Sequence, residues 1–456
     1  MPFTHAFLVP DIYPSFRCKG GSCRSTCCKG WGISVRMEEY FRLLGMDCPP
    51  EIRRRLDCAF YAPKDPSPER FRLINPRFDG DCPLRAEDGL CALQLACGED
   101  ALPSICRLYP RAPRGEFAYE CSCSNSCEAV VEQLLDREAP LTFRSVELTL
   151  ESAPPAGKRL RHPRGYYSAI RALCGEILQK RALPLPERIA RVGLALRALE
   201  PLMDAEAGRM GAEISRLGLC ADELPAFAPD AAAGLSALRG VLDALAQTSE
   251  SLSPYREVAE ARLPSPAEFC SARAAFAGRF PAWERHFEHL LVHHLFYECF
   301  PFSDRHESFA DEFSALCALY ALLRFLLIGY TASVPTREGF VDAAADAANP
   351  TNVIATWIVA RNFAGCFMSA SSFPARLSPA SQSCRSFKSL IEITAISALA
   401  NTAFKKIKTI NKNMGCNMSA PFCFRRPVIR PPAACYVLCH LRTKRYDLPV
   451  SKKDLR

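Results

Sequence analysis

Residues 16–31 read FRCKGGSCRSTCCKGW. Four cysteines, Cys18, Cys23, Cys27 and Cys28, fall within eleven residues. Gly20 and Gly21 permit the positive φ that a chain needs to curl around an ion. Cys27 and Cys28 are adjacent, so their side chains diverge and do not readily ligate one metal together. Either one of them serves a second site, or one ligates while the other packs. Further along, Cys82 (GDCP), Cys91 (DGLC), Cys106 (ICRLYPR) and Cys127 (NSCEA) follow. Eight thiols match two four-thiolate sites in number, and soft sulfur suits an iron–sulfur cluster or zinc. Zinc usually enters through CxxC knuckles. The uneven spacing here lacks one and reads more like a cluster site. Cys48, Cys58, Cys97, Cys121 and Cys123 are read as bystanders, the last two being the closest rivals for ligation. Basic neighbours (Arg17, Lys19, Arg24, Lys29, Arg107) either lower thiol pKa values and offset a cluster's charge or form a solvated face.

Composition decides how these thiols are read. Of 24 cysteines in 456 residues, 13 lie in the first 127. Such density fits disulfides in an oxidising compartment or thiolate-bound metal in a reducing one. Residues 1–9 hold no basic run and no long apolar stretch, and Pro10, Asp11 and Pro14 follow at once. No signal peptide is read there, so a cytoplasmic protein with ligating thiols is expected. With 49% hydrophobic and 23% charged residues, wholesale disorder and a polytopic membrane protein are both excluded. The net charge of +8 is uneven: residues 385–456 carry +12 and the remainder −4, so nucleic acid is not an expected partner. Ala315–Val334 is apolar and long enough to span a membrane, yet Arg324 at its centre would cost roughly 2.5–3.5 kcal/mol on insertion. A buried helix is expected instead, with no membrane partner.

The fold expected is mainly α: a Cys-rich, loop-rich, metal-ligated module over residues 1–150, then an antiparallel α-helical domain over 151–350. Glu128–Leu135 reads as a helix. After a Pro-rich join at Ala153–Pro163, apolar residues recur at helical spacing in Tyr166–Leu178 and in a helix begun by Pro186. Ala205–Leu217, Gly234–Ala246, Pro281–Phe300, His306–Tyr330 and Glu338–Ala348 read as further helices. Residues 351–456 are basic and low in periodicity, and read as a disordered tail or a shifted reading frame.

Several stretches together carry a resemblance. YPSFRCKGGSCRSTCCKGW (13–31), NPRFDGDCPLRAEDGLC, CRLYPR and SCEAV resemble the flagellin lysine-N-methylase family, itself related to the CxxCxxCC zinc- or iron-chelating proteins. IRALCGEILQKRALPLPERIARVGLALRAL, HLLVHHLFYECFPF and YALLRFLLIGYTA resemble that family's helical part. The likeness covers about residues 10–350. It implies methylation of lysine ε-amines on flagellin, S-adenosylmethionine as donor, and an iron–sulfur centre such as 4Fe-4S. Cys18, Cys23, Cys27, Cys28, Cys82, Cys91, Cys106 and Cys127 match the family pattern, as do Trp31, Arg107, Tyr109, Pro110 and Arg111.

The residues themselves do not spell a methyltransferase. No strand–GxGxG–helix is present to bind the donor in a doubly wound sheet. The CxxxCxxC spacing of radical enzymes is also missing, because Cys28 follows Cys27 at once. Arg107 and Arg111, with Tyr109 beside them, are the candidate donor-binding residues, since guanidinium groups hold a carboxylate bidentately. Glu87, Asp88 and Tyr109 are candidate bases for a lysine whose ordinary pKa is about 10.4; Glu87-Asp88-Gly89 also reads as a tight turn. His289 and His293, four apart, could grip a metal or serve as satisfied core histidines. Two rival readings remain: a non-enzymatic metal-chelating or assembly protein, and a thiol-based redox regulator.

Overall fold

The computed structural model describes residues 2–348 apart from 25, 30–31, 155–162, 205–206, 220–241, 243–252 and 306–307. All of these belong to one unit, Met1–Phe404. Trp31, the reading of Gly234–Ala246 as a helix and the basic tail lie outside the described residues. The described chain is mainly α, with thirteen α-helices.

The first 150 residues hold more regular structure than the loop-rich reading allotted. Strands β1 (Phe3–Pro10), β2 (Ser34–Val35), β3 (Phe60–Tyr61), β4 (Arg72–Ile74), β5 (Arg111–Arg114), β6 (Glu120–Cys123) and β7 (Phe143–Leu150) form two sheets. The larger has the order β5-β6-β1-β7. β1 and β7 pair antiparallel along their whole length, from Phe3 opposite Leu150 to Pro10 opposite Phe143. β1 runs parallel to β6. Alternation explains the pairing: Phe7 and Val9 of β1 pack with Cys121 in a small core flanked by Val146, Leu148 and Leu150. The order β2-β4-β3 makes the second sheet. It shares a separate core with α1 (Met37–Gly45), α2 (Pro50–Asp57) and α3 (Ala92–Cys97), built on Val35, Leu43, Leu56 and Leu93. Cys82 is buried in that core, with Cys28, Cys91 and Cys106 packed against it. Packing of this kind supports the segment alongside any ligation.

The remaining helices follow the sequence reading closely: α4 (Ser104–Leu108), α5 (Glu128–Asp136), α6 (Tyr167–Leu178), α7 (Leu185–Leu199), α8 (Ala207–Leu219), α9 (Ser253–Arg262), α10 (Pro266–Arg279), α11 (Trp283–Tyr297), α12 (Phe309–Thr331) and α13 (Arg337–Ala347). Helices α4, α9 and α10 were not foreseen. Three of these helices begin where a hydroxyl can cap them, with Ser265, Ser308 and Thr336 accepting from the amides of Glu268, Asp311 and Gly339. α12 is apolar on all sides, as a central helix must be, and eighteen of its twenty-three residues are buried. Among the described residues it alone is long and apolar enough to cross a membrane, and 89% of its most apolar stretch is buried within the molecule. Gly329 lets α9 approach closely: a Cβ there would stand 2.5 Å from Ala259.

Two buried charge networks hold the elements together, and the first joins the N-terminal sheet to the helices. Glu120 of β6 is 1% exposed. It accepts from Arg114 (2.7 Å) and from the Tyr167 hydroxyl (2.8 Å), and forms an ion pair with Arg171 (2.5 Å). Arg114 also donates to the carbonyls of Phe296 and Tyr297 at the C-terminal end of α11. Burial alone would raise the Glu120 pKa, but the two guanidinium groups hold it below the usual carboxylate range. Glu288, also fully buried, is clamped by Arg181 (2.8 Å) and Arg188 (2.6 Å).

Candidate functional site

The clasp folds as its glycines require. Gly20 takes φ +57°, and a Cβ on Gly21 would meet the Asp88 carbonyl at 2.7 Å. The clasp is thereby seated on the turn that precedes Cys91. That turn is closed by the Gly89 amide donating to Ala86 O (3.1 Å), with Gly89 at φ +84°. Asp88 accepts from the Leu90 amide at 3.0 Å, so Asp88 acts as a turn residue here. The Cys82 amide donates to Cys28 O at 2.8 Å, and Lys29 bridges to Asp81. The backbone itself therefore carries Cys28 to Cys82.

The eight predicted thiols fall into two neighbourhoods. Cys28, Cys82, Cys91 and Cys106 feel one another. Burial pushes Cys82 up to about 11, and Cys28 and Cys91 add to it. Burial also raises Cys106, with Cys28, Cys82 and Cys91 adding in turn. The second neighbourhood holds Cys18, Cys23 and Cys127. Cys23 is pushed up to about 11 by burial, then by Glu128, Cys127 and Cys18. Cys27 stands between the two, coupled to Cys28, Cys106 and Cys18. The adjacent pair splits in charge: Cys28 is lowered to about 6, first by the Cys27 hydrogen bond and then by the Thr26 hydroxyl and Arg85.

Burial raises three of these sulfurs, Cys82, Cys91 and Cys127, and local backbone amides partly offset it. Cys91 and Cys127 occupy the N-caps of α3 and α5. The amides two and three residues on lie near each sulfur and favour its charged form without closing a cap hydrogen bond: Leu93 and Gln94 for Cys91, Ala129 and Val130 for Cys127. Leu84 and Arg85 do the same for Cys82. Amide donors and a helix N-terminus favour thiolate, the ligating form. The donor set thus fits a thiolate-bound centre. The groups are gathered rather than closed: among the described residues no three His, Cys, Asp or Glu side chains stand at ligand spacing. No disulfide joins the described cysteines.

The basic neighbours of the clasp are paired. Lys19 binds Glu128 (2.7 Å) and Glu132 (3.0 Å), and Arg24 binds Asp342 of α13 (2.9 Å). Lys29 lies 3.4 Å from Asp81, and Arg107 lies 2.5 Å from Glu151. Arg17 donates to the carbonyls of Pro14 and Phe16. These charges are committed to carboxylates and carbonyls. They hold the clasp to α5 and α13 more than they offset charge on sulfur. Glu128 and Asp342 were invisible as partners in the sequence because they lie over a hundred residues away.

Cys121 and Cys123 sit apart in β6. Cys121 Sγ is 3.3 Å from Tyr13 Oη, and burial raises Cys123, which feels Cys121 and Cys127. His289 and His293 of α11 are satisfied core residues. His289 Nδ1 donates to Leu134 O (2.9 Å) while Nε2 accepts from Arg181 (3.0 Å). His293 Nδ1 donates to Asn125 Oδ1 (2.6 Å), and its Nε2 accepts from the Ser122 hydroxyl (3.0 Å). The Asn125 amide is oriented by donating to Leu290 O. His293 thereby fixes the loop that delivers Cys127.

One cleft of about 1950 Å³ brings Cys27, Arg107, Tyr109 and Arg111 together. Arg107 is engaged with Glu151. Arg111 lies over the Phe16 ring at 5.0 Å and forms no ion pair among the described residues. Tyr109 Oη is 3.1 Å from Ser126 Oγ. Ser124, Ser126 and Tyr297 line the same wall and were not foreseen.

Comparison with known proteins points to one family. Residues 171–344 match the family described as FliB lysine N-methylase C-terminal domain. The chain is 28% identical over 160 residues to lysine-N-methylases of Salmonella typhimurium (strain LT2) and Salmonella choleraesuis, covering 33% of this chain and 39% of each relative. It is also 28% identical over 131 residues to the flagellar biosynthetic protein FliU of Salmonella muenchen, covering 28% of this chain and 75% of that protein. The chain thus spans about two fifths of the length of the lysine-N-methylases it matches. No solved structure matches it. Over residues 171–344 above all, the chain is therefore similar to the FliB lysine N-methylase family.

Proposed function

We propose that this chain is a cytoplasmic protein-lysine N-methyltransferase that uses S-adenosylmethionine to methylate flagellin, around a Cys-ligated iron–sulfur or zinc centre. The observation that carries this reading is the shared cleft, in which a clasp thiol, Cys27, lies with Arg107, Tyr109 and Arg111. Unlike Arg107, Arg111 has no carboxylate partner among the described residues, so of the two it is the one prepared to take the donor's carboxylate. Arg107 can join it on leaving Glu151. One quartet, Cys28, Cys82, Cys91 and Cys106, would hold one centre. Cys18, Cys23, Cys27 and Cys127 would hold the other. When bound, such a centre supplies either an electron or a Lewis-acidic position to the donor. The chain's own residues do the rest: the cleft walls orient donor and lysine.

The test is to load the full chain with iron and sulfide, or with zinc, and mix it with flagellin and S-adenosylmethionine. Mass spectrometry should then find flagellin lysines heavier by one methylene per methyl group added. Unmodified flagellin with fully loaded protein would favour a metal-chelating or redox-regulatory protein.

A further inference from the structure

The segment Ser122–Ser126 reads SCSNS, with three hydroxyls in five residues. Its side chains divide by direction. Ser122 and Asn125 turn to His293 and to the Leu290 carbonyl, which fixes the loop on α11. Ser124 and Ser126 turn to the cleft. There Ser124 Oγ lies 2.7 Å from Ser126 Oγ, and Ser126 Oγ lies 3.1 Å from Tyr109 Oη. At the other end, the Tyr297 hydroxyl bonds to Ser124. All four residues line the cleft, as does Cys27. The result is an unbroken row of four hydroxyls, assembled from three elements: the end of α4, the loop after β6 and the last turn of α11.

A hydroxyl carries one proton and two lone pairs. A row joined head to tail uses a proton at each link and has lone pairs left over. Toward a ligand it is therefore chiefly a hydrogen-bond acceptor. Burial also pushes both phenols up, Tyr297 to about 12, so the row is uncharged at neutral pH. An uncharged acceptor row suits a group rich in N–H. It also gives an ammonium ion less electrostatic support than a carboxylate would, and so leaves more of a bound amine neutral with its lone pair available.

We propose that Tyr109, Ser126, Ser124 and Tyr297 form the seat of the substrate amine, accepting hydrogen bonds from the N–H groups of a primary alkylamine and holding its nitrogen in the cleft wall beside Cys27. The identity of that amine as a lysine side chain rests on the methylase reading; the seat itself does not.

The experiment uses the full chain with its metal loaded and two probes, Nα-acetyl-lysine methylamide and the norleucine analogue that has the same chain without the nitrogen. Tyr297→Phe and Ser126→Ala each remove one hydroxyl and no other group. By calorimetric titration the parent should bind the lysine probe, and each variant should bind it about five- to tenfold more weakly, the effect of one lost neutral hydrogen bond. Binding of the norleucine probe should be weak and the same in all three proteins. Affinity for the lysine probe should rise with pH toward the amine pKa of about 10.4. Variants that bind the lysine probe as the parent does, or a norleucine probe that binds equally well, would overturn the seat. Circular dichroism of both variants shows whether a loss arises from unfolding; Tyr109→Phe serves as the third variant if either fails. Hydroxyl-dependent amine binding without methyl transfer would uphold the seat and sink the methylase reading instead.

Discussion

Single residues in this protein show their purpose through what opposes them. Cys91 and Cys127 are partly buried, which disfavours thiolate, yet each lies near two backbone amides at a helix N-cap, which favour it. Cys121 has no such amide pair two and three residues on, and it contacts Tyr13. Cys121→Ser should therefore leave bound metal unchanged, which elemental analysis of the purified variant checks. Arg111 differs from Arg107 in the same spirit. Arg111→Ala should weaken S-adenosylmethionine binding about tenfold or more, measured by equilibrium dialysis, because a charge-assisted bond is worth about 1.5–3 kcal/mol. Arg107→Ala should do less, since Arg107 must first leave Glu151. His293 carries a prediction with a definite sign. Burial, with His294 and Arg114 nearby, lowers its pKa to about 3, while the unfolded chain keeps the ordinary value near 6.5. Between those values the unfolded state takes up a proton that the folded state refuses, so stability falls as pH drops below about 6.5. His286, lowered to about 4 by burial, acts in the same direction. Urea midpoints should decline steadily from pH 7 to pH 4, and His293→Gln should shallow that slope.

Elements are joined by buried charge and close backbone contact. Glu120 sits between two guanidinium groups from β5 and α6, and Arg114 closes the end of α11. Removing the carboxylate would leave both cations buried and unpaired. Glu120→Ala should lower unfolding free energy by about 3–5 kcal/mol, measured by urea denaturation. Gly329→Ala should cost about 1–3 kcal/mol in the same assay, because α9 must move away from α12. These elements were unequally legible. Helical periodicity placed α5, α6, α7, α11, α12 and α13 within a few residues, since each buries a continuous apolar stripe. α9 and α10 escaped because their sequences, SPYREVAEAR and PAEFCSARAAFAGR, mix charge and small residues around the helix. The sheet escaped for a different reason. FTHAFLVP and FRSVELTL do alternate, but they are 132 residues apart, and only tertiary pairing makes them one ladder. At the site, the eight thiols were legible by type and density. Their division into quartets was not, nor was the Tyr297 hydroxyl, which reaches the cleft from a helix 170 residues beyond Cys127 in sequence.

At the scale of the whole molecule, the helical bundle serves as the frame for the cysteine-rich part. α5 and α13 hold the clasp through Lys19 and Arg24, and α11 holds the loop before Cys127 through His293. The two thiol neighbourhoods meet at Cys27 and Cys28, and the cleft opens beside Cys27. Everything proposed about chemistry depends on these being two thiolate centres. The direct measurement is metal per chain, for iron, zinc and acid-labile sulfide, in the loaded parent, in Cys106→Ser, in Cys127→Ser and in the double variant. Two separate quartets predict that each single variant loses about half of the metal and the double variant nearly all of it. Metal content that is unchanged in both single variants, or that vanishes entirely in either one, would contradict the account.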